Sequence, residues 1–402
     1  MKEQEIAPDA PQAASRSAHA PLFRSFFLGG FECSTHKNFF QRRQLDIIAS
    51  TQHDTFARQD YERLQNAGIR AVRDGIRWHL IETSPYHYDW SSVLPMVRAA
   101  RDTNTQVIWD LCHYGWPDDL DVFSPQFLDR FAALTRAFTR LLNEETPDAP
   151  YLSPVNEISF VAWAGGHMGF FPPFATERGM ELKPQLARAA IFACEAAWDV
   201  DKRARIFHVD PICNVVPANP ESAKEAERIR IAQYEGWDMI AGISYKNEVG
   251  GALKYLDVVG VNYYPDNQWA YPDPPVGSPK IAPDHPLWRK PSQMLQETYE
   301  RYHRPLFIAE TGCENAPRAS WVAHMGREVR DAMRAGVPVE GVCLYPILNH
   351  PGWEDDRHCH NGLWDYADTK GNRKPYPPML RELKLQQARI AHLQNAVHRT
   401  RP

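Results

Sequence analysis

The sequence predicts an α/β fold, a single-domain (β/α)8 TIM barrel, and three observations carry that prediction. Eight short apolar segments alternate with stretches of helical periodicity, the pattern of parallel strands joined by crossover helices. Polar residues gather at the C-terminal ends of segments one to four and six to eight. Two segments, Tyr151 to Ser159 and Pro305 to Gly312, each deliver a glutamate there, Glu157 and Glu310. An open doubly wound sheet shares the alternation but strings these ends along an edge. A closed barrel brings them to one mouth, where barrel active sites sit. The 402 residues exceed a usual domain but suit an α/β barrel with long loops.

In order, Ser25 to Glu32 is the first predicted strand, with glycines where backbone approaches closely. Thr55 to Gly68 has helical spacing and a glycine stop, and Ala71 to Trp78 is the second strand. On that strand Arg73, Gly75 and Arg77 share one face by the period of two, and arginines on an inner face need anionic partners. A helix over Ser91 to Thr103 precedes the third strand, Gln106 to Tyr114. Ser124 and Pro125 open a helix running to Asn143. The fourth strand, Tyr151 to Ser159, leads into an aromatic, glycine-rich loop, Phe160 to Phe174. Gln185 to Arg203 is helical, Ala204 to Cys213 is the fifth strand, and Pro220 to Ala241 is helical again. Leu256 to Tyr264 is the sixth strand, followed by a long proline-dense loop to Pro291 that reads as a functional loop. Helix Ser292 to Tyr302, strand Pro305 to Gly312, helix Trp321 to Ala335 and strand Val339 to Leu348 complete the pattern. A helical tail covers Pro377 to His398.

Composition excludes several classes. A net charge of −5 without a long basic run argues against nucleic acid as a partner, and no apolar run reaches the length of a membrane span. Residues 1–20 are polar, rich in Ala, Pro and Ser, and lack an apolar core; they read as a disordered leader ahead of a barrel over 21–402. The seven cysteines are an odd set without CxxC spacing, so they read as reduced thiols in a cytoplasmic protein. Consecutive residues rarely aim at one ion, so His358-Cys359-His360 is not taken as a metal site, and neither metal nor organic cofactor is expected.

Two carboxyls at one mouth, flanked by Arg, His, Asn, Tyr and Trp, suit glycoside hydrolysis. One must stay protonated to donate to the leaving oxygen, and the other must be ionised to attack the anomeric carbon. Arg73 beside a carboxylate is expected to hold it ionised. Asn156 can donate to a sugar hydroxyl, and loop tryptophans and tyrosines offer flat apolar faces to pyranose rings.

At this point the chain resembles the family 1 β-glycosidases, in clan A of the retaining glycosidases. The family's TFNEP strand is matched by PVNEI (Pro154 to Ile158) and its ITENG strand by IAETG (Ile308 to Gly312). The resemblance implies that Glu157 is the acid/base and Glu310 the nucleophile. The family's YRFSISW is matched by VRDGIRW and its YHWDLP by CHYGWP, which places its site arginine at Arg73 and its site histidine at His113. GLNYY becomes GVNYY, with Asn262 and Tyr264 on one face and Tyr264 expected to bond the nucleophile.

Departures from the family pattern are concentrated in the sugar-gripping half. SAYQ becomes STHK, with Lys37 at the place of a sugar-binding glutamine. WSLLDNFEW corresponds to Tyr345-Pro-Ile-Leu-Asn-His-Pro-Gly-Trp353, so Tyr345 replaces a Trp, Gly352 a glutamate, and Trp353 remains. Lys37, Arg357 and the nearby histidines could instead accept a carboxylate or phosphate, with surface solvation the alternative role for Arg357. The family's bend after the eighth strand predicts a cis Tyr345–Pro346 bond.

The expectation is therefore a retaining β-glycosidase acting on a small-molecule glycoside or oligosaccharide. A transglycosylase on the same route and a catalytically silent sugar-binding barrel are the alternatives. The sugar, the aglycone and the oligomeric state stay open.

Overall fold

The computed structural model describes residues 21–272 and 280–399. The expected leader, and the tip of the loop after the sixth strand, lie outside the described residues.

Eight parallel strands close into a barrel in the order β1-β8-β7-β6-β5-β4-β3-β2. They are β1 (Phe27–Gly30), β2 (Ala71–Gly75), β3 (Gln106–Cys112), β4 (Tyr151–Val155), β5 (Arg205–Pro211), β6 (Val258–Asn262), β7 (Leu306–Thr311) and β8 (Val339–Leu344). Closure is made by β1 against β8, with Phe27 beside Val342 and Gly29 beside Leu344. The helices that cross between strands are α1 (His53–Asn66), α2 (Leu94–Asp102), α3 (Pro125–Glu145), α4 (Gly179–Val200), α5 (Ala223–Ala232), α6 (Glu235–Ala241), α7 (Pro291–Tyr302) and α8 (Arg318–Arg334). The tail forms α9 (Pro377–Arg399), which packs on α8 through buried Met379, Leu383 and Ile390.

Alternation along the strands sorts side chains into two cores. Leu28, Ala71, Ile108, Phe207, Val258 and Phe307 fill the barrel interior, and Phe23 plugs its floor, 5.2 Å from the Phe307 ring. Leu152, Ile206, Val259 and Ile308 point outward under the helices. Burying each large apolar side chain contributes roughly 1.5–3 kcal/mol. The interior is thus apolar at the floor and turns polar towards the C-terminal ends of the strands.

Several expected boundaries move for local reasons. The second strand stops at Gly75, because Trp78 turns into a short helix, Trp78–Ile81, and donates its Nε1 to Glu82 at 2.6 Å. Arg77 is therefore not on the inner face with Arg73; it pairs outside the barrel with Asp46 and Asp54. The eighth strand ends at Leu344, just before Pro346, which has no N–H to give. The expected long helix from Pro220 breaks into α5 and α6. Within the Phe160–Phe174 segment, residues up to His167 are helical and not loop. The Tyr345–Pro346 bond is cis, as expected.

Candidate active site

Glu310 would face outward on a regular strand, because Phe307 and Ala309 already face the interior. The pairing of β7 with β6 shifts register between Ile308 and Glu310, and that irregularity turns the carboxyl into the barrel mouth. Glu157 reaches the same mouth by another device. It follows β4 in a left-handed conformation, φ 51°, with its N–H held by the Val209 carbonyl at 2.9 Å. Both carboxyls line one cavity of about 780 Å³, together with His113, Tyr264, Tyr345 and Trp353.

Each carboxyl has its own pair of donors. Glu310 receives Arg73 Nη1 at 2.9 Å on one oxygen and the Tyr264 hydroxyl at 2.8 Å on the other. Glu157 receives Asn262 Nδ2 at 2.8 Å and the Tyr114 hydroxyl at 2.6 Å. Arg73 is fully buried and uses its other nitrogen on Asp110 Oδ2 at 2.6 Å and Asn156 Oδ1 at 3.1 Å. His113 Nδ1 lies 3.0 Å from the same Asp110 oxygen. Asn156 in turn donates to the Tyr114 hydroxyl at 2.9 Å. The two glutamates therefore sit on one hydrogen-bonded platform.

Tyr345 forms the wall beside it. Its ring lies parallel to the His113 imidazole, with the Arg73 guanidinium 5.4 Å from its centre. The ring fits only because residue 30 is glycine; a Cβ there would come within 2.0 Å of Tyr345 Cδ2. Trp353 is packed edge-on against His36 and Tyr114, and its Nε1 has no hydrogen-bond partner among the described residues.

Electrostatics depart from the expectation for Glu310. Burial, opposed by Arg73 and reinforced by the charge of Glu157, pushes its carboxyl up to about 7. Arg73 fails to hold it low because its charge is shared with Asp110. Burial also works against an ionised Asp110, but Arg73 and His113 outweigh it and keep that carboxyl below its ordinary value. His113 would be lowered by burial alone; its bond to Asp110 and the charge of Glu32 raise it.

Arg73, Asn156 and Asn262 were expected at the substrate, yet all three spend hydrogen bonds on the platform and the carboxyls. Lys37 is a correction. It does not line the cavity of the two glutamates; its Nζ pairs with Asp118 at 2.7 Å at the edge of a smaller neighbouring pocket. Arg357 does line the main cavity, paired with Glu314 at 2.8 Å.

Three residues of the site were not singled out from the sequence: Asp110, Tyr114 and Glu32. The inner-face Arg73 required an anion, and Asp110 on the adjacent strand, three residues before His113, was the signal for it. Cys33, Asp110 and His113 bring three potential metal donors within 4.8 Å of one another. They do not suit an ion, because Asp110 is engaged by Arg73 and burial pushes the Cys33 thiol well up. His358 stacks on His360 and pairs with Asp365, so those side chains are directed to each other and to the carboxylate. All seven cysteines are free thiols, and no helix among the described residues is long and apolar enough to cross a membrane.

A closed barrel with two carboxyls at its mouth is the architecture these observations define. Among solved structures the chain is similar to a family 1 β-glucosidase from Thermotoga maritima, with 15% identity over 92% of this chain and 99% of that one, TM-score 0.72. A hyperthermophilic β-glucosidase mutant that forms a dodecamer in the crystal has 17% identity over 89% and 99%, TM-score 0.71. The Thermotoga maritima β-glucosidase in complex with noeuromycin has 17% identity over 83% and 86%, TM-score 0.68. These similarities establish the fold. No protein-family model matches the chain, and no curated protein does.

Proposed function

We propose that the chain, with residues 21–402 as one catalytic domain, is a retaining β-glycosidase that acts by double displacement. The observation that carries this reading is the pair Glu157 and Glu310 in one cavity, each with a different set of donors. Burial and the neighbouring Glu157 raise the carboxyl of Glu310, and Arg73 opposes them. Among the described residues Arg73 is the only cation bonded to either carboxyl, and it favours charge on Glu310. The double-displacement reading takes Glu310 as the ionised attacking group and Glu157 as the proton donor.

In the first step Glu157 gives its proton to the glycosidic oxygen as Glu310 attacks the anomeric carbon, breaking the carbon–oxygen bond and forming a glycosyl ester. In the second step Glu157 takes a proton from water, which attacks the same carbon and releases Glu310. Tyr264 steadies the oxygen of Glu310 that does not receive Arg73. Trp353 and Tyr345, which line the cavity, supply apolar faces for the sugar. Fold similarity to β-glucosidases described with noeuromycin and castanospermine supports a sugar-like ligand.

The test is a panel of activated aryl glycosides, with the anomeric configuration of the first product followed by NMR. Release of the β-anomer from a β-glycoside supports the reading; release of the α-anomer overturns it. Added alcohols distinguish hydrolysis from transfer, and absence of any turnover marks a binding protein.

A further inference from the structure

Beyond Glu157 and Glu310 the cavity is lined by three more acids, Glu32, Asp266 and Glu314, and of these Glu32 is the buried one. Glu32 lies just past β1, is 8% exposed, and lines the same cavity as Glu157 and Glu310. Its orientation is fixed from one side. Oε1 accepts both the backbone N–H of Ser34, at 2.9 Å, and the Ser34 hydroxyl. No hydrogen bond among the described residues uses Oε2. Around it stand His113, whose Nε2 is 4.0 Å from Oε1, and the Tyr345 ring, which packs against Gly30.

The lysine and the arginine that line this cavity are already matched. Lys280 pairs with Asp266, and Arg357 with Glu314. Lys37, the cation expected to receive an anionic sugar, is instead turned to Asp118 outside this cavity. What remains facing a ligand is an oriented acceptor, acidic in character, close to the imidazole that rests on Asp110. A fixed acceptor with an open oxygen recognises a hydrogen-bond donor and repels a second anion.

Resting on the glycosidase reading, we infer that Glu32 is a specificity-determining residue. Its Oε2 accepts hydrogen bonds from donor substituents of the glycone, hydroxyl or ammonium, and it excludes glycones that carry a carboxylate or phosphate at that position. The substrate class is thus a neutral or amino sugar glycoside, not a uronide or phosphosugar.

Binding measurements decide this without turnover. Calorimetry would compare a neutral iminosugar, its aminodeoxy counterpart and its uronic-acid counterpart, each in gluco, galacto and manno configurations. Wild type should bind the neutral or aminodeoxy ligand at least tenfold more tightly than the acidic one. Glu32→Gln should lose at least tenfold on the preferred ligand and gain on the acidic one. A larger loss for the aminodeoxy ligand than for the neutral one identifies ammonium as the recognised group; equal losses identify hydroxyl. Ser34→Ala, which removes one of the two bonds that fix the carboxyl and keeps the backbone one, should give a smaller loss in the same direction and serves if Glu32→Gln folds poorly.

The inference is overturned if wild type prefers the acidic ligand, if it binds none of the ligands, or if Glu32→Gln changes all of them by the same factor. Failure of wild type to hydrolyse any aryl glycoside would instead sink the glycosidase reading, while the binding comparison still judges Glu32.

Discussion

Arg73 and Asp110 form a fully buried ion pair, Nη2 to Oδ2 at 2.6 Å, directly beneath the carboxyl of Glu310. The pair converts a costly buried cation into a fixed platform, because the guanidinium still has a nitrogen free for Glu310. Removing Asp110 leaves the buried Arg73 with Glu310 as its remaining carboxylate partner, and breaking a buried pair typically costs up to about 3–5 kcal/mol. Asp110→Asn should therefore lower the unfolding midpoint clearly. It should also reduce kcat, on the order of 10²-fold, by loosening the groups aimed at developing charge. Thermal unfolding and steady-state kinetics on one preparation check both. A stable variant with wild-type kcat would show that the platform plays no part in turnover.

The two glutamates should separate by leaving group. Glu310→Ala removes the attacking group, so turnover should vanish for good and poor leaving groups alike. Glu157→Ala removes the proton donor, whose help contributes about 10²–10⁴-fold and is needed least by acidic phenols. Its first step should stay near wild type for a dinitrophenyl glycoside and collapse for an alkyl glycoside. Identical leaving-group slopes in the wild type and in Glu157→Ala would remove the acid/base assignment.

Stability should fall with alkali because of a group on the other side of β2. His53 is wholly buried, with Nδ1 2.9 Å from Asp60 and Nε2 2.8 Å from Asp74. Burial opposes its charge, but these two carboxylates outweigh burial and raise it to about 9. A group raised on folding binds its proton more tightly in the native state. Its stabilisation is complete below the unfolded value, near 6.5, and is lost as pH climbs through 9. The effect is at most on the order of 3 kcal/mol. Unfolding midpoints from pH 6 to 10 should decline in wild type and flatten in His53→Gln. Parallel curves for the two proteins would contradict it.

How much of this was legible beforehand depends on whether a residue's role follows from alternation. Arg73 was readable, because the period of two puts it inward and an inward arginine demands an anion. Arg77 obeyed the same rule in the sequence but failed in space, because Trp78 ends the strand before the period can reach it. Glu310 was located as the end of an apolar run. Strict alternation would have turned it outward, and only the register shift after Ile308 brings it in. Lys37 was placed by matching residues one for one after the first strand. In space its ammonium turns to Asp118, a partner that no strand pattern announces. Tyr114 was hidden by its positive φ of 75°, which no strand pattern announces.

The last prediction concerns the chain that leaves Glu157. Two residues on, Ser159 donates both its N–H, at 3.0 Å, and its hydroxyl, at 2.7 Å, to the buried carboxyl of Asp210 at the end of β5. Burial first, and then the charge of Glu157, push Asp210 up to about 7, while the two Ser159 bonds pull it down. Glu157 is in a left-handed conformation that a non-glycine residue adopts only when its neighbours hold it there. On the proposed reading Asp210 and Ser159 are therefore positioning residues for Glu157. Ser159→Ala removes the hydroxyl bond and keeps the N–H bond, so it should fold with little loss, about 1 kcal/mol. Its rate should fall severalfold for alkyl glycosides and hardly at all for dinitrophenyl glycosides, with KM unchanged for both. That pattern marks a misplaced proton donor. A uniform loss across leaving groups would mean that Ser159 serves stability alone.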